Sequence, residues 1–243
     1  MKIVITEAEG LRLMQFDTPW VQGAMRLDDP DRLALDYAER MFAWLPLHEI
    51  ETLPRRHLVT LGLGAGSLTR FAHRVLGMQA TAVEIEPDVI EACRRHFLLP
   101  ADGDGLRVVH GDGGDFVSRQ AAHTIDVLQV DAYDASVERP ALDTELFYAA
   151  CRRALREGGT LVANLIGRSL HLRRSIDRLR AGLRPTATWQ FPHTDGGNAI
   201  VVAHLGPMPP EDLLRARAAE VERRWGLPAS GWLAMVRRWQ AAA

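Results

Sequence analysis

The sequence is poor in several residue types that mark particular classes of protein. Its 243 residues include two cysteines, Cys93 and Cys151, without Cys-x-x-Cys spacing, which argues against a disulfide framework and a zinc site. Both fall within predicted helices, so we expect buried thiols in a reducing compartment. Nine histidines are scattered without the spacing of metal ligands, and we expect no metal site.

Long apolar runs are also lacking. No run approaches the roughly 18 residues that a membrane-spanning helix needs, and residues 1–20 lack the basic, apolar and small-residue stretches of a signal peptide. Lysine occurs once, and 29 basic against 31 acidic residues give a net charge of −2. Nothing in this balance favours nucleic acid or an anionic membrane as a partner. We therefore expect a globular protein of the cytoplasm.

Alternating strands and helices dominate the chain from His57 onward. The predicted strands are 58–61, 81–85, 106–109, 125–130 and 160–165, and the predicted helices are 67–76, 88–97, 113–120, 144–156 and 170–181. Such alternation predicts an α/β fold with a mostly parallel sheet and helices on both faces. A closing antiparallel pair, 186–191 and 198–205, and two C-terminal helices follow.

The first 50 residues have a different pattern. Two alternating runs flank Glu9-Gly10 and predict a β-hairpin. A predicted loop containing Gln22 and Gly23 follows, and Arg32 to Leu45 has the apolar spacing of a helix. We divide the chain into residues 1–50, an N-terminal β-hairpin and helix, and residues 51–243, a Rossmann-like ligand-binding catalytic domain.

A glycine-rich turn is the most informative motif. Gly62, Gly64 and Gly66 follow a predicted strand and precede a predicted helix, and Glu84 ends the next apolar run. Glycines allow a tight turn and close approach to a ligand, and a carboxylate at Glu84 can accept hydrogen bonds from ribose hydroxyls. The G-x-G-x-G spacing favours an adenosyl sulfonium ligand over a dinucleotide. The alternative is a purely structural turn, with Ser67 capping the helix.

Further acids follow other predicted strands. Asp131, Tyr133 and Asp134 come after the strand 125–130, where open parallel sheets bind ligands. Two carboxylates around a tyrosine suit an amine substrate, because one can take a proton while the other binds an ammonium group. Alternatively, Asp134 caps a turn.

Asp112 and Gly113 follow the third predicted strand of this sheet. The Asp112 carboxylate is suited to accept a hydrogen bond from an adenine amino group. It is equally suited to cap the helix that begins near Gly113, and the sequence leaves both roles open.

Together these motifs resemble the spermidine synthase (polyamine aminopropyltransferase) family over about residues 22–205. The matching segments are Gly62-Leu-Gly-Ala-Gly, Val83-Glu-Ile-Glu, Gly111-Asp-Gly, Asp131-Ala-Tyr-Asp, Leu146-Phe-Tyr and Tyr37-Ala-Glu-Arg-Met. The resemblance implies a Rossmann-like fold of the S-adenosylmethionine-dependent methyltransferase type. It also implies transfer of an aminopropyl group from decarboxylated S-adenosylmethionine to an amine such as putrescine, which releases methylthioadenosine.

The resemblance also implies roles for individual residues. Glu84 would bind the ribose and Asp112 the adenine of the co-substrate, Asp131 would be the catalytic base, and Tyr37, Gln22, Tyr133 and Asp134 would contact the amine. No tightly bound cofactor is implied. The implied partners are a small amine and a second copy of the chain in a homodimer.

The sequence departs from the family pattern at several positions. Ala65 stands where the family usually carries an aspartate that pairs with the ammonium group of the aminopropyl donor, and Asn164 stands where glutamine is common. Ala65 leaves open whether the donor is decarboxylated or ordinary S-adenosylmethionine. The alternatives are therefore a methyltransferase of the same fold and a catalytically silent relative.

Overall fold

The computed structural model describes residues 2–17, 21–132, 142–166 and 169–238. The N-terminal region is a three-stranded antiparallel sheet formed by β1 (Val4–Ala8), β2 (Leu11–Gln15) and β3 (Val21–Arg26). The predicted hairpin is confirmed: Glu9 and Gly10 both have positive φ, as a tight two-residue hairpin turn requires.

The predicted loop around Gln22 and Gly23 is wrong, because these residues belong to the third strand β3. Its segment, Val-Gln-Gly-Ala-Met-Arg, has no clear alternation of apolar and polar residues. Pairing with β2, in which Gly23 lies opposite Met14, provides the stabilisation that local sequence preferences do not supply. The N-terminal region is therefore larger than a hairpin.

The predicted helix over Arg32–Leu45 is largely wrong. Helix α1 covers Asp36–Arg40, and turns and short 3-10 helices at Leu45–Leu47 and Ile50–Arg55 follow it. Residues 41–47 are all buried, so this segment has no solvent-exposed face of the kind that an amphipathic helix presents. Because residues 41–47 are buried on all sides, the spacing of their apolar residues does not indicate a helix.

The central sheet has eight strands in the order β11-β9-β10-β8-β7-β4-β5-β6. Their bounds are β4 His57–Leu61, β5 Gln79–Glu84, β6 Leu106–His110, β7 Ile125–Val130, β8 Leu155–Ile166, β9 Ala187–Gln190, β10 Asn198–His204 and β11 Arg237–Arg238. Strands β4 to β8 are parallel, and β9 to β11 pair antiparallel. The predicted mostly parallel sheet with a closing antiparallel pair is confirmed.

Helices flank this sheet. Their bounds are α2 Ser67–Arg70, which continues as a π-helical turn Phe71–Val75, α3 Pro87–His96, α4 Gly113–Arg119, α5 Glu145–Ala154, α6 Ser169–Leu183, α7 Glu211–Trp225 and α8 Ala229–Met235. Alternate residues of one strand enter two different hydrophobic clusters: Leu58 lies in one and Val59 in the other. Both faces of the sheet are therefore buried, as in other parallel sheets.

Two expectations from composition can be compared with the structure. Cys93 and Cys151 are both buried and carry free thiols, as predicted. Within the described ranges, no helix combines the length and apolarity that a bilayer crossing requires. The carboxyl ends of β4, β5, β6 and β7 meet at one edge of the sheet, and the loops that follow them form the candidate active site.

Candidate active site

The glycine loop follows β4 and turns sharply before α2. Gly62, Gly64 and Gly66 all have positive φ, a conformation that other residues rarely adopt. The Gly62 N–H donates to the Val83 carbonyl at 2.8 Å, which holds the start of the loop against β5. A Cβ on Gly62 would lie 2.2 Å from the carbonyl oxygen of Asp131. The first glycine therefore lets two loops of the site come together.

Strand β3 also packs against the glycine loop. A Cβ on Gly64 would lie 2.7 Å from the Gln22 carbonyl oxygen, and a Cβ on Gly23 would lie 2.6 Å from both the Cβ and the main-chain nitrogen of Ala65. The Ser67 hydroxyl donates to the Ala24 carbonyl at 2.8 Å. The N-terminal sheet therefore forms one wall of the site and brings Gln22 beside the loop.

Buried side chains bind main-chain carbonyl groups of the glycine loop and of two neighbouring segments. Arg70, 1% exposed, donates to the carbonyl oxygens of Ala65 at 3.1 Å and Phe97 at 2.6 Å, and to that of Pro30 at 2.7 Å. The Cys93 thiol lies 2.8 Å from the Gly64 carbonyl oxygen. Burial lowers the pKa of the Arg70 guanidinium to about 10, so this side chain stays charged at neutral pH.

Glu84 ends β5 and is bound directly to the glycine loop. One carboxylate oxygen accepts the Leu63 N–H at 2.8 Å, and the other accepts the Glu86 N–H at 3.0 Å. These two bonds fix the carboxylate plane. Each oxygen keeps a further lone pair that can accept a hydroxyl hydrogen.

Asp112 caps helix α4, one of the two roles that the sequence left open. Its Oδ1 accepts the Asp115 N–H at 2.8 Å, and the second carboxylate oxygen is not part of this bond. A Cβ on Gly113 would lie 2.9 Å from a methyl carbon of Leu142, so a larger residue would require the Leu142 side chain to shift. Contact of Asp112 with adenine stays a prediction.

Asp131 follows β7 and lies next to the glycine loop, because its N–H donates to the Leu61 carbonyl at 2.9 Å. The Asn164 amide donates to Asp131 Oδ1 at 2.8 Å, and the Tyr37 hydroxyl hydrogen-bonds the same carboxyl group. Burial raises the Asp131 pKa to about 6, the charge of Glu84 adds to the rise, and the two donors oppose it. The carboxyl is therefore mostly ionised at neutral pH yet basic enough to accept a proton.

The predicted site residues mostly come together at this edge of the sheet. Tyr37 of α1 contacts Asp131, and burial together with the Asp131 charge raises the Tyr37 pKa, so that the hydroxyl stays protonated and donates. Tyr133 and Asp134 lie outside the described residues. Within the described part of the chain, no cluster of three or more potential ligands is arranged to hold a metal ion.

Sequence reasoning missed a second row of polar side chains behind Asp131. The Asn198 amide donates to the Asn164 carbonyl oxygen at 3.0 Å, and Thr194 hydrogen-bonds Asn198. Arg40 donates to the Pro192 carbonyl at 2.7 Å. The one local signal is Gly196-Gly197-Asn198, which predicts a turn but not its contact with a strand 34 residues away.

Known proteins resemble this chain in sequence and in fold. The model of the spermine/spermidine synthase domain family matches residues 36–183. The polyamine aminopropyltransferase of Chromobacterium violaceum is 32% identical over 229 residues, which are 93% of this chain and 85% of that protein.

Two solved structures share the fold. A probable spermidine synthase from Corynebacterium glutamicum superimposes with a TM-score of 0.74 at 17% identity, covering 97% of this chain and 86% of that one. Human methyltransferase-like protein 13, in complex with SAH, gives a TM-score of 0.66 at 23% identity, covering 86% of this chain and 97% of that one. The methyltransferase-like fold is thus confirmed. The family match and the sequence identity together show that this chain belongs to the spermine/spermidine synthase family of transferases.

Proposed function

We propose that the chain transfers the aminopropyl group of decarboxylated S-adenosylmethionine to a small primary amine, for example putrescine. The observation that carries this proposal is the environment of Asp131. A basic carboxyl group with a pKa of about 6 lies beside a glycine loop and Glu84, where an adenosyl group would bind. The relative from Chromobacterium violaceum carries the name polyamine aminopropyltransferase, which agrees with this reaction.

The reaction needs alignment and a neutral nucleophile. The amine lone pair attacks the aminopropyl carbon next to the sulfonium, the carbon–sulfur bond breaks, and its electron pair goes to sulfur to give neutral methylthioadenosine. The positive sulfur already activates the leaving group, so the protein has to orient the two substrates and accept a proton from nitrogen. In this proposal the Asp131 carboxylate accepts that proton, and hydrogen bonds from Tyr37 and Asn164 hold the carboxylate in place.

The donor contacts follow from the same geometry. Glu84 binds the ribose hydroxyls, the glycine loop passes beneath the adenosyl group, and Asp112 contacts adenine with the carboxylate oxygen that does not cap α4. On the amine side, Tyr37 and Gln22 line the approach. Contact of Tyr133 and Asp134 with the amine rests on the family resemblance alone, because both lie outside the described residues. The acidic groups Glu84 and Asp131 favour cationic substrates by charge.

The test is product formation with a matched pair of aspartate variants. Wild-type protein with decarboxylated S-adenosylmethionine and putrescine, cadaverine or spermidine should release methylthioadenosine. Asp131→Asn should lose at least about 100-fold in turnover while it still binds methylthioadenosine. The control is Asp102→Asn, an exposed aspartate ahead of β6 at the opposite edge of the sheet, which should retain turnover. No release by wild type with any of the amines contradicts the proposal and favours a catalytically silent relative.

One observation favours a second candidate, a methyltransferase that uses ordinary S-adenosylmethionine. Position 65 carries no carboxylate, and Ala65 is 2% exposed and packs against Gly23. A charge-assisted hydrogen bond to a donor ammonium is worth about 1.5–3 kcal/mol, and residue 65 does not supply one. Calorimetry with both donors separates the candidates, because at least tenfold tighter binding of the carboxylated donor would favour methyl transfer.

We also propose that the protein is a homodimer of the cytoplasm. Trp232 is a poor candidate for the contact surface, since it is buried within the chain's own core. Sedimentation equilibrium at micromolar concentration tests the assembly: a mass of about twice the chain's 27.0 kDa is expected, and a monomer would contradict it.

A further inference from the structure

A loop between two antiparallel strands is linked to Asp131 by hydrogen bonds through Asn198 and Asn164. Residues 191–197 connect β9 to β10, and we call this segment the relay loop. Two main-chain hydrogen bonds close its turn: the Thr194 N–H donates to the Asn198 carbonyl at 2.9 Å, and the Gly197 N–H donates to the Thr194 carbonyl at 2.9 Å. The turn places the Thr194 hydroxyl against the Asn198 side chain, and the Asn198 amide in turn contacts Asn164 on β8.

The hydrogen bonds of this cluster have a fixed direction. The Asn198 main-chain N–H donates to Thr194 Oγ1 at 3.2 Å, and the Thr194 hydroxyl donates to Asn198 Oδ1 at 3.3 Å. With its oxygen occupied in this way, the Asn198 side chain presents its NH2 group to Asn164 Oδ1. The Asn164 amide is then oriented with its own NH2 group toward Asp131 Oδ1, at 2.8 Å.

Burial protects this arrangement. Thr194 is 9% exposed and Asn164 is 4% exposed, so water does not readily replace a lost partner. An amide that rotated by 180° would turn its oxygen toward the Asp131 carboxylate, where two acceptors repel each other. In a shielded site, an unpaired or repelled polar group is costly. The direction of the Asn164 amide therefore depends on the relay loop.

The relay loop also supports the second donor to Asp131. Arg40, on the same helix as Tyr37 and 9% exposed, donates to the Pro192 carbonyl at 2.7 Å and pairs with Asp36 at 2.7 Å. The loop thus contacts α1, which carries Tyr37, directly through Pro192, and it reaches Asn164 on β8 through Asn198, the first residue of β10.

We propose that Thr194 and Asn198 are positioning residues, which hold the Asn164 amide with its NH2 group toward Asp131 and so keep that carboxyl in its proton-accepting form near neutral pH. The importance of this positioning for catalysis rests on the proposed function, in which Asp131 is the base. The other ionisable groups that face Asp131 in the described structure are Tyr37 from α1 and Glu84 from β5. Neither takes part in the hydrogen bonds that run from Thr194 through Asn198 to Asn164. Asp134 lies outside the described residues.

The test follows the titration of Asp131 directly, by carbon-detected NMR of aspartate side-chain carboxyls, with the resonance assigned by its loss in Asp131→Asn. The decisive variant is Thr194→Val, which removes the hydroxyl and keeps the side-chain shape. Thr194→Ser restores a hydroxyl and serves as the rescue. Thr188→Val is the matched control, because Thr188 Oγ1 on β9 is buried and has no hydrogen-bond partner within the described structure.

Thr194→Val should raise the Asp131 titration midpoint by about half a pH unit or more, since a hydrogen bond to the charged form is weakened. Thr194→Ser and Thr188→Val should leave the midpoint within about 0.2 units of wild type. In an Asn164→Ala background, Thr194→Val should cause no further shift, because the effect passes through that amide.

Two results overturn the proposal. One is an unchanged midpoint in Thr194→Val that melts at the wild-type temperature, and the other is an equal shift in the presence and absence of Asn164. These outcomes are independent of turnover. Loss of the proposed function would instead be seen as no methylthioadenosine release by wild type, with the relay still tested by the titration.

Discussion

The main chain of Asp131 passes so close to Gly62 that a Cβ on the glycine would lie 2.2 Å from the Asp131 carbonyl oxygen. The Asp131 N–H also donates to the carbonyl of Leu61, the residue just before the glycine. The residue that we propose as the base and the loop that we propose to bind the donor are therefore in direct main-chain contact. A change in one displaces the other.

Gly62→Ala should abolish activity and lower stability. Its methyl group would clash with Asp131, and its φ of +88° is unfavourable for alanine. We expect at least about a 100-fold loss of transfer, because small displacements of reacting groups are costly in catalysis. Steady-state kinetics and thermal unfolding measure the two effects. Gly10→Ala is the control: Gly10 has a similar φ of +76° and open space around its Cβ position, so it should lose stability but keep activity.

The pH dependence of kcat/KM should have an acid limb near pH 6. Burial raises the Asp131 pKa to about 6, and the ionised form is the one that accepts the proton. Activity should therefore fall about tenfold per pH unit well below pH 6 and level off above it. A limb at about pH 4, the ordinary range of an aspartate, would contradict the raised pKa of Asp131.

Arg70→Met should destabilise the protein and weaken donor binding. It leaves the carbonyls of Ala65, Phe97 and Pro30 without their buried donor, and we expect a loss of about 3 kcal/mol or more in the free energy of unfolding. Urea unfolding and calorimetry with methylthioadenosine measure the two effects. The control Arg74→Met, at an exposed position just after α2, should change the free energy of unfolding by less than about 0.5 kcal/mol. Equal losses in the two variants would contradict this role of Arg70.

A buried pair of histidines should make the fold sensitive to acid. Thr160 Oγ1 lies 2.8 Å from His48 Nε2 and 2.9 Å from His204 Nδ1, and burial lowers the pKa of both rings, that of His204 to about 4. Below pH 6.5 the unfolded chain binds protons that the folded one does not, so stability falls as the pH decreases. His204 alone should cost about 2 kcal/mol between pH 7 and pH 5.

The variant His204→Asn tests this expectation. It removes the titrating ring, so its loss of unfolding free energy between pH 7 and pH 5 should be about 2 kcal/mol smaller than that of wild type. Urea unfolding at both pH values provides the measurement. The exposed His171→Asn on α6 is the control and should keep the wild-type pH dependence. An unchanged dependence in His204→Asn would contradict the assignment.

Much of the central sheet could be predicted from the sequence, because its strands are continuous apolar runs that end at glycines or acids. Glu84 and Asp131 both follow such runs, and the geometry of parallel sheets brings them to one edge. Helices α3 to α6 have amphipathic patterns that survive in the folded chain. Local pattern and tertiary structure agree in this part of the protein.

The rest depends on contacts between distant residues. Strand β3 forms because β2 pairs with it and the glycine loop packs against Gly23, and neither partner is visible in its own sequence. The bonds from Leu63 to Glu84 and from Asn198 to Asn164 join residues 21 and 34 positions apart. The spacing of apolar residues carries no information about such bonds. The hydrogen bonds from Thr194 through Asn198 and Asn164 to Asp131 could therefore not be predicted from the sequence.

The close contact between Gly23 and Ala65 has a consequence for how such proteins can be recombined. A Cβ on residue 23 would meet the main-chain nitrogen of residue 65 as well as its side chain, so even a glycine at 65 would not make room. Glycine at 23 is thus a condition set by the loop's backbone. A chimera that takes its first 26 residues from a relative should retain donor binding only where that relative also supplies glycine at this point of the strand. The N-terminal sheet and the glycine loop therefore have to be exchanged as one unit.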